Sequence, residues 1–337
     1  MNASATMEGM PINRPDAVDL DTLSIVPRRE FEICNDLLDD HAALEAFYQE
    51  NGYLFFRGVL DPQSVKEARN SMLAVAADEF GLVEKGDPQA RWSGKAYPPQ
   101  SEEKPCFSGI SKKLVENPRN QDLLTKILGE RPSMVPIVQY RLYPPNGPVT
   151  MVHQDGFYSP GIQDYKPLWI PLVPCPREVG GLMIAIGQNK SGYFHNVGKE
   201  APFPIPADAI DPDSWATMDY EPGDLLVVHP CTPHGGTPNT SDRLRVTFDT
   251  RVQSARAPST FEAVVEAVTP NRVTLNSPDA NVGTVTLAVD PQTFLRTRGP
   301  GVRETFEEFA QVTEPGMRLV VVREGDRAAM LRMGSRP

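Results

Sequence analysis

Apolar positions along the chain follow two rhythms, and they change over near its middle. Leu37, Leu38, Leu44 and Phe47 fall at helical spacing between residues 37 and 50, and Asn51-Gly52 ends the pattern as a helix C-cap does. The unbroken apolar run "YLFFRGVL" predicts a buried strand next. Asp61-Pro62 couples a capping carboxylate to proline at the first helical position, which predicts a helix to about Phe80. Residues 84–113 hold no sustained period. A long irregular stretch inside a compact domain is a functional lid or a disordered segment, so Trp92, Lys95 and Tyr97 are read as substrate contacts or loop anchors.

From Val135 the pattern turns to short strands: "PIVQYRLY", "PVTMVHQDGF", "PLWIPLVP", "GGLMIAI", "GDLLVVH" and "RLRVTFDTRVQ". Turn residues separate them at the spacing of an all-β sandwich or barrel. After about Ser254 come shorter strands, with Val285, Leu287 and Val289 alternating against Thr284, Thr286 and Ala288 and one helical stretch from Arg303 to Gln311. The expected organisation is an irregular leader over 1–30, a main domain over 31–255 that is mainly β with flanking helices, and a small β-barrel over 256–337. The last resembles the small OB-like barrels appended to many bacterial proteins, by pattern alone.

Composition narrows the partners. A net charge of -11 disfavours wrapping a nucleic-acid backbone or lying on anionic lipid. No apolar run approaches a membrane span and the first residues lack a secretory pattern. Cys34, Cys106, Cys175 and Cys231 are far apart, which suits reduced thiols in a cytoplasm. The 34 prolines, about double the usual share, point to many ordered loops. The expected partner is a small-molecule substrate, and the C-terminal module stands open between a surface for self-association, a cover over the pocket and a simple appendage.

The candidate chemistry begins at "VTMVHQDGFY". On a strand, His153 and Asp155 would project from one face and could reach one ion. The bland alternative is two polar residues facing water. A facial set of two histidines and one carboxylate leaves positions open on non-haem Fe(II). A third ligand must then come from downstream, where His195, His229 and His234 remain. His195 reads as loop, His229 ends a strand, and His234 follows a Pro-Cys-Thr-Pro turn.

Four stretches in order resemble the phytanoyl-CoA dioxygenase family of Fe(II)/2-oxoglutarate oxygenases: "FYQENGYLFFRGVLDPQSV", "HQD" with its aromatic pair, "LWIPLVPCPREVGGLMIAIG" and "HGGTPNTSDRLR". The resemblance covers about Asp40 to Gln253 and implies a double-stranded β-helix (jelly-roll, cupin-like) core. It implies that His153, Asp155 and His234 bind the metal and that Arg245, eleven residues after His234, pairs with the distal carboxylate of 2-oxoglutarate. Arg243 lies two residues away, so periodicity alone does not separate the two arginines. Gln154, Trp169 and Asn239 also fall on motif positions, Trp169 as a cosubstrate contact and Asn239 as a turn holder, and Gln139 is a weaker cosubstrate contact.

The implied reaction takes Fe(II), 2-oxoglutarate and O2, releases succinate and CO2, and hydroxylates an unactivated C–H bond. Asp155 argues against a halogenase, whose chloride takes the position of that carboxylate. The chain departs from the family where Pro-Gly-Ser-His is usual and "IGQNKSGYFHN" stands instead. This bears on the substrate, for which a small or medium metabolite of natural-product biosynthesis is expected. Two rivals stay open: a cupin-like isomerase or hydrolase without 2-oxoglutarate, and a non-catalytic binding protein.

Overall fold

The computed structural model describes residues 11–96, 107, 109–159, 165–296 and 304–333. Tyr97 and Cys106, both singled out above, lie outside them. The N-terminal half holds α1 (His41–Asn51), β1 (Tyr53–Phe56), α2 (Pro62–Asp78), α3 (Ile110–Val115), α4 (Pro118–Leu128), β2 (Pro132–Met134) and β3 (Gln139–Tyr143). A four-residue helix α5 (Asp155–Tyr158) precedes β4 (Lys166–Pro171), β5 (Leu182–Ala185), β6 (Trp215–Ala216), β7 (Leu225–Val228), β8 (His234–Gly236) and β9 (Arg245–Ser254).

The end signals in the sequence act as expected. Gly52 adopts φ 79° and closes α1 through a bond to the Tyr48 carbonyl, a conformation that favours glycine. Asp61 caps α2, its carboxylate accepting from the Ser64 amide at 2.8 Å. The first helix starts later than the apolar run implied, because Asp40 caps it and Asn35–Leu37 forms a separate 3-10 turn. "YLFFRGVL" is strand only over its first four residues, all buried.

Two sheets frame the main domain. The larger follows the order β1-β7-β4-β9-β2, with β3 also pairing β9, and the smaller is β6-β5-β8. Phe55, Leu142, Leu168, Ile170, Val246, Phe248 and Val252 pack in one cluster with Leu44, Met72, Leu114, Leu124 and Ile127 of the helices. The helices therefore cover one side of the large sheet. Burying each large apolar side chain here is worth about 1.5–3 kcal/mol before entropy is counted.

The described part of the leader, residues 11–30, is irregular apart from a 3-10 turn at Thr22–Ser24 and isolated bridges at Asp19 and Arg29, and it is tied into the domain. Ile12, Leu20 and Ile25 pack on a cluster with Val152, Phe194 and Trp215. The Thr22 hydroxyl accepts from the Val152 amide at 2.9 Å, one residue before His153. Of the expected lid, residues 90–93 bridge to the start of β9: the Trp92 amide donates to Asp242 and the Leu244 amide to Ala90. The lid reading is also corrected at its far end, where α3 begins at Ile110.

The C-terminal part contains β10 (Thr260–Thr269), β11 (Arg272–Asn276), β12 (Thr284–Ala288), β13 (Phe294–Arg296), α6 (Phe306–Val312), β14 (Arg318–Glu324) and β15 (Arg327–Met333). The order β12-β11-β10-β14-β15, with β12 also pairing β15, closes a five-stranded barrel. Leu287 and Val289 point into it, whereas Thr286 faces outward and bonds Thr274 at 3.0 Å. The helix is shorter than the 303–311 expected, since Thr305 and Glu308 form a capping box that sets its start.

Gln253 staples the barrel to β9. Its side chain is buried, accepts from the Ser259 and Thr260 amides at 3.1 and 3.0 Å, and donates to the Thr260 carbonyl. Gln253→Ala leaves these buried groups unpaired, and the expected loss is about 1–3 kcal/mol. The urea midpoint of the full chain measures it; an unchanged midpoint contradicts the staple.

Candidate metal centre

His153 and His234 are joined through their backbones, each amide donating to the other's carbonyl at 2.9 Å. This one bridge lays the turn bearing His153 along the edge of β8, with the imidazole centroids 4.3 Å apart. Close packing makes room for it: a Cβ on Gly235 would lie 3.1 Å from Val152 Cγ2. His153 Nδ1 is 2.8 Å from the Met151 carbonyl, and His234 Nδ1 is 2.9 Å from that of Thr232. A carbonyl only accepts, so each Nδ1 carries the proton and each Nε2 lone pair is left for a metal.

The strand expected through "PVTMVHQDGF" is not formed. His153 sits in a single bridge, the chain turns at Gln154, and Asp155 opens α5. The pin is Gln154 itself. Its buried amide donates to the Gly192 and Cys231 carbonyls at 2.7 Å each and accepts from Phe194 at 2.8 Å. Donor atoms of His153, Asp155 and His234 come within 4.8 Å of one another. Two imidazoles and one carboxylate on one side of an ion suit non-haem Fe(II).

Burial opposes ionisation of Asp155, but the Arg251 guanidinium at 2.9 Å outweighs it, helped by both histidines, and holds the carboxyl well below the usual range. Burial pushes His234 down to about 4, so it is neutral and able to ligate at pH 7.

Beside the triad, a cavity opens between the two sheets. Its walls include Leu168 and Trp169 of β4, Leu182 of β5, and Arg245, Thr247, Asp249 and Arg251 of β9. Arg245 is 3% exposed. Its Nη1 donates to the Gly181 and Thr237 carbonyls at 3.1 and 3.2 Å, its plane lies over the Tyr143 ring, and its Nε has no partner. Burial disfavours its charge, and no carboxylate among the described residues forms an ion pair with it. Arg243 points elsewhere, to Glu178 at 3.3 Å. Arg245 thus lines the cavity and Arg243 does not, a difference that strand periodicity alone left open.

Other expected positions divide clearly. Trp169 lines the cavity and packs on Tyr220 at 4.6 Å. Gln139 does not line it, although Arg141 and Tyr143 on the same strand do. Asn239 donates to the Tyr143 and Arg243 carbonyls at 3.1 and 2.8 Å, holding the turn before β9. His195 accepts from the Gln154 amide at 3.1 Å and donates from Nδ1 to Phe203 at 2.7 Å, so both ring nitrogens are occupied. His229 accepts from the Cys231 amide at 3.1 Å and stays outside the metal cluster. Phe157 stacks on His195 with centroids 4.1 Å apart, while Tyr158 is exposed. Trp92 and Lys95 bond to each other, Trp92 Nε1 donating to the Lys95 carbonyl at 2.8 Å.

Sequence reading missed Arg251, Arg141 and Asp249. Arg141 pairs with Asp249 at 2.9 Å inside the cavity. A signal existed: in "RVTFDTR" the residues Arg245, Thr247, Asp249 and Arg251 alternate with apolar Val246 and Phe248, a polar face turned inward.

Residues 48–247 match the phytanoyl-CoA dioxygenase (PhyH) family. The chain is 31% identical over 266 residues to a 1-deoxypentalenic acid 11-beta-hydroxylase of Streptomyces exfoliatus, spanning 72% of this chain and 90% of the relative. A protein of the same description from Streptomyces arenae is 30% identical over 252 residues, spanning 70% and 89%. Among solved structures, EctD from S. alaskensis with 2-oxoglutarate and 5-hydroxyectoine superimposes with a TM-score of 0.50 at 17% identity, covering 74% of this chain and 87% of EctD.

Replacing Arg245 with Gln should weaken 2-oxoglutarate binding to the Mn(II)-loaded protein roughly 100-fold, the scale for removing one member of a buried charge pair. Calorimetry checks it, and equal affinity contradicts the assignment. A second expectation concerns pH. Burial pushes His195 and His229 down to about 4 from an ordinary 6.5. The unfolded chain then binds more protons, so stability from these residues is fully present above pH 6.5 and is lost as pH falls towards 4. Urea midpoints across that window should fall; a flat profile contradicts it.

Proposed function

This chain belongs to the phytanoyl-CoA dioxygenase family, and from that premise we propose that His153, Asp155 and His234 hold Fe(II) while Arg245 receives the far carboxylate of 2-oxoglutarate. The enzyme is an oxidoreductase, with Fe(II) as cofactor and 2-oxoglutarate and O2 as cosubstrates. The observation that carries the residue assignment is the buried Arg245 guanidinium without a carboxylate partner, opening on the cavity that holds the triad. A metal-dependent isomerase or hydrolase has no use for that charge, and a binding protein has no use for the triad. We read the two facing sheets as a double-stranded β-helix core.

Fe(II) bound here with 2-oxoglutarate and O2 supplies the oxidation of a C–H bond to an alcohol, with release of succinate and CO2. The chain's own residues do the rest. His153 and His234 present Nε2 because carbonyls hold their Nδ1 protons. Arg245 offers a rigid fork that a carboxylate fits in two places. Trp169, Leu168, Leu182 and Val228 give the cavity apolar walls that exclude water.

The substrate we propose is a natural-product intermediate of small or medium size carrying one carboxylate. The Streptomyces relatives are described as hydroxylases of 1-deoxypentalenic acid. Charge supports the same class. Arg141, Arg245 and Arg251 face Asp155 and Asp249 in the cavity. Adding Fe(II) and the 2-oxoglutarate dianion leaves one positive charge, which a monoanion neutralises. We place the enzyme in the cytoplasm: Cys34, Cys175 and Cys231 are buried free thiols, and no helix among the described residues is long and apolar enough to cross a membrane.

Anaerobically purified protein given Fe(II), 2-oxoglutarate and then O2 tests this directly. Succinate should form with the wild type and not with Asp155→Ala. No succinate from wild type that still binds Fe(II) contradicts the reading and favours the metal-dependent rival.

A further inference from the structure

We propose that Arg251 is a positioning residue of the metal site and that the C-terminal barrel supports it; this rests on reading His153, Asp155 and His234 as the ligands. Arg251 Nη2 donates to Asp155 Oδ1 at 2.9 Å, and the two side chains are only 9% and 14% exposed. Such a pair is a poor device for stability alone, because stripping water from two charges offsets most of their attraction. Orientation is what it supplies. Asp155 stands at the start of a four-residue helix whose backbone is tied at Gln154 and Gly156, and a guanidinium on one oxygen fixes the plane of the carboxylate. Outer partners of this kind orient metal ligands and tune them as donors.

Arg251 is itself held from behind. Its carbonyl accepts from the Val135 amide at 2.8 Å, and its Nη1 lies 3.5 Å from the Ile137 carbonyl. The Val135 and Ile137 side chains pack in one cluster with Val320, Val322, Ala329 and Met330 of the barrel. Along β14 those valines alternate with Leu319 and Val321, which fill the barrel's own core. A barrel strand with one face outward has no need to be apolar on both. β14 is, and its outer face seats the 135–137 segment that holds Arg251 from behind. Neither Arg251 nor the barrel lies within residues 48–247, the part that matches the family.

Mn(II) affinity of the full chain, measured by calorimetry, tests the chain of contacts without turnover. Arg251→Gln should lose about 10- to 100-fold in affinity, the usual effect of removing an outer partner. Arg251→Lys should recover part of it, keeping the charge but not the fork. The doubly substituted Val320→Ala/Met330→Ala should lose affinity in the same direction with Arg251 intact. Arg57→Gln breaks the Arg57–Asp224 pair of 2.6 Å outside the cavity and controls for general loosening; its affinity should match wild type.

Wild-type affinity in Arg251→Gln overturns the proposal and leaves the metal site standing. An equal loss in Arg57→Gln overturns it too, since any weakened fold would then suffice. Unchanged affinity in the barrel variant removes the barrel's part. No Mn(II) binding by wild type overturns the ligand reading itself.

Discussion

The paired backbone hydrogen bonds between His153 and His234 are the constraint on which the rest of the site depends. They join a turn to the last strand of the small sheet, and they do so at the two residues whose side chains must converge. The neighbouring segments secure that junction. Thr22 from the leader caps the Val152 amide, Gln154 ties the turn to residues 192, 194 and 231, and His195 receives the Gln154 amide. Each bond taken alone is worth only about 0.5–1.5 kcal/mol. Together they leave the ligands little freedom before a metal arrives, which is what a preorganised site requires.

The second feature is an imbalance of charge. The protein is acidic overall, at -11, yet its central cavity contains three arginines and two aspartates. Arg141 and Arg251 each have a carboxylate close by, and Arg245 has carbonyls instead. Burying a guanidinium without a counter-charge is costly, and such groups are retained where function needs them. An anionic cosubstrate gives it a reason to be there. The same imbalance is what supports the proposal of a singly charged anion as substrate.

Much of this was legible in the sequence where one residue type has one physical use. Asp61-Pro62 and Asn51-Gly52 marked helix ends because capping and positive φ leave few alternatives. The family resemblance named three residues that the fold brings together. Other features were hidden because they depend on distant partners. His153 and Asp155 read as a strand by their spacing, but the pairing that decides the local shape comes from His234. The leader read only as irregular, and its anchors are spread over residues 152, 205 and 215, which no local pattern reveals. Gln139 drew attention from its strand, and the polar positions that line the cavity are Arg141 and Tyr143 two and four residues on. Arg251 was readable in the alternation of β9, yet nothing local says that its partner is Asp155.

On the proposed reading, the triad and Arg245 together form one site for a metal and a 2-oxoglutarate dianion. The most direct measurement is the visible absorption of the anaerobic Fe(II) protein as 2-oxoglutarate is added. A band that grows and saturates, and that fails to appear with His234→Ala, is the predicted result. No spectral change in wild-type protein that holds Fe(II) would contradict it, because the cosubstrate would then not be reaching the metal.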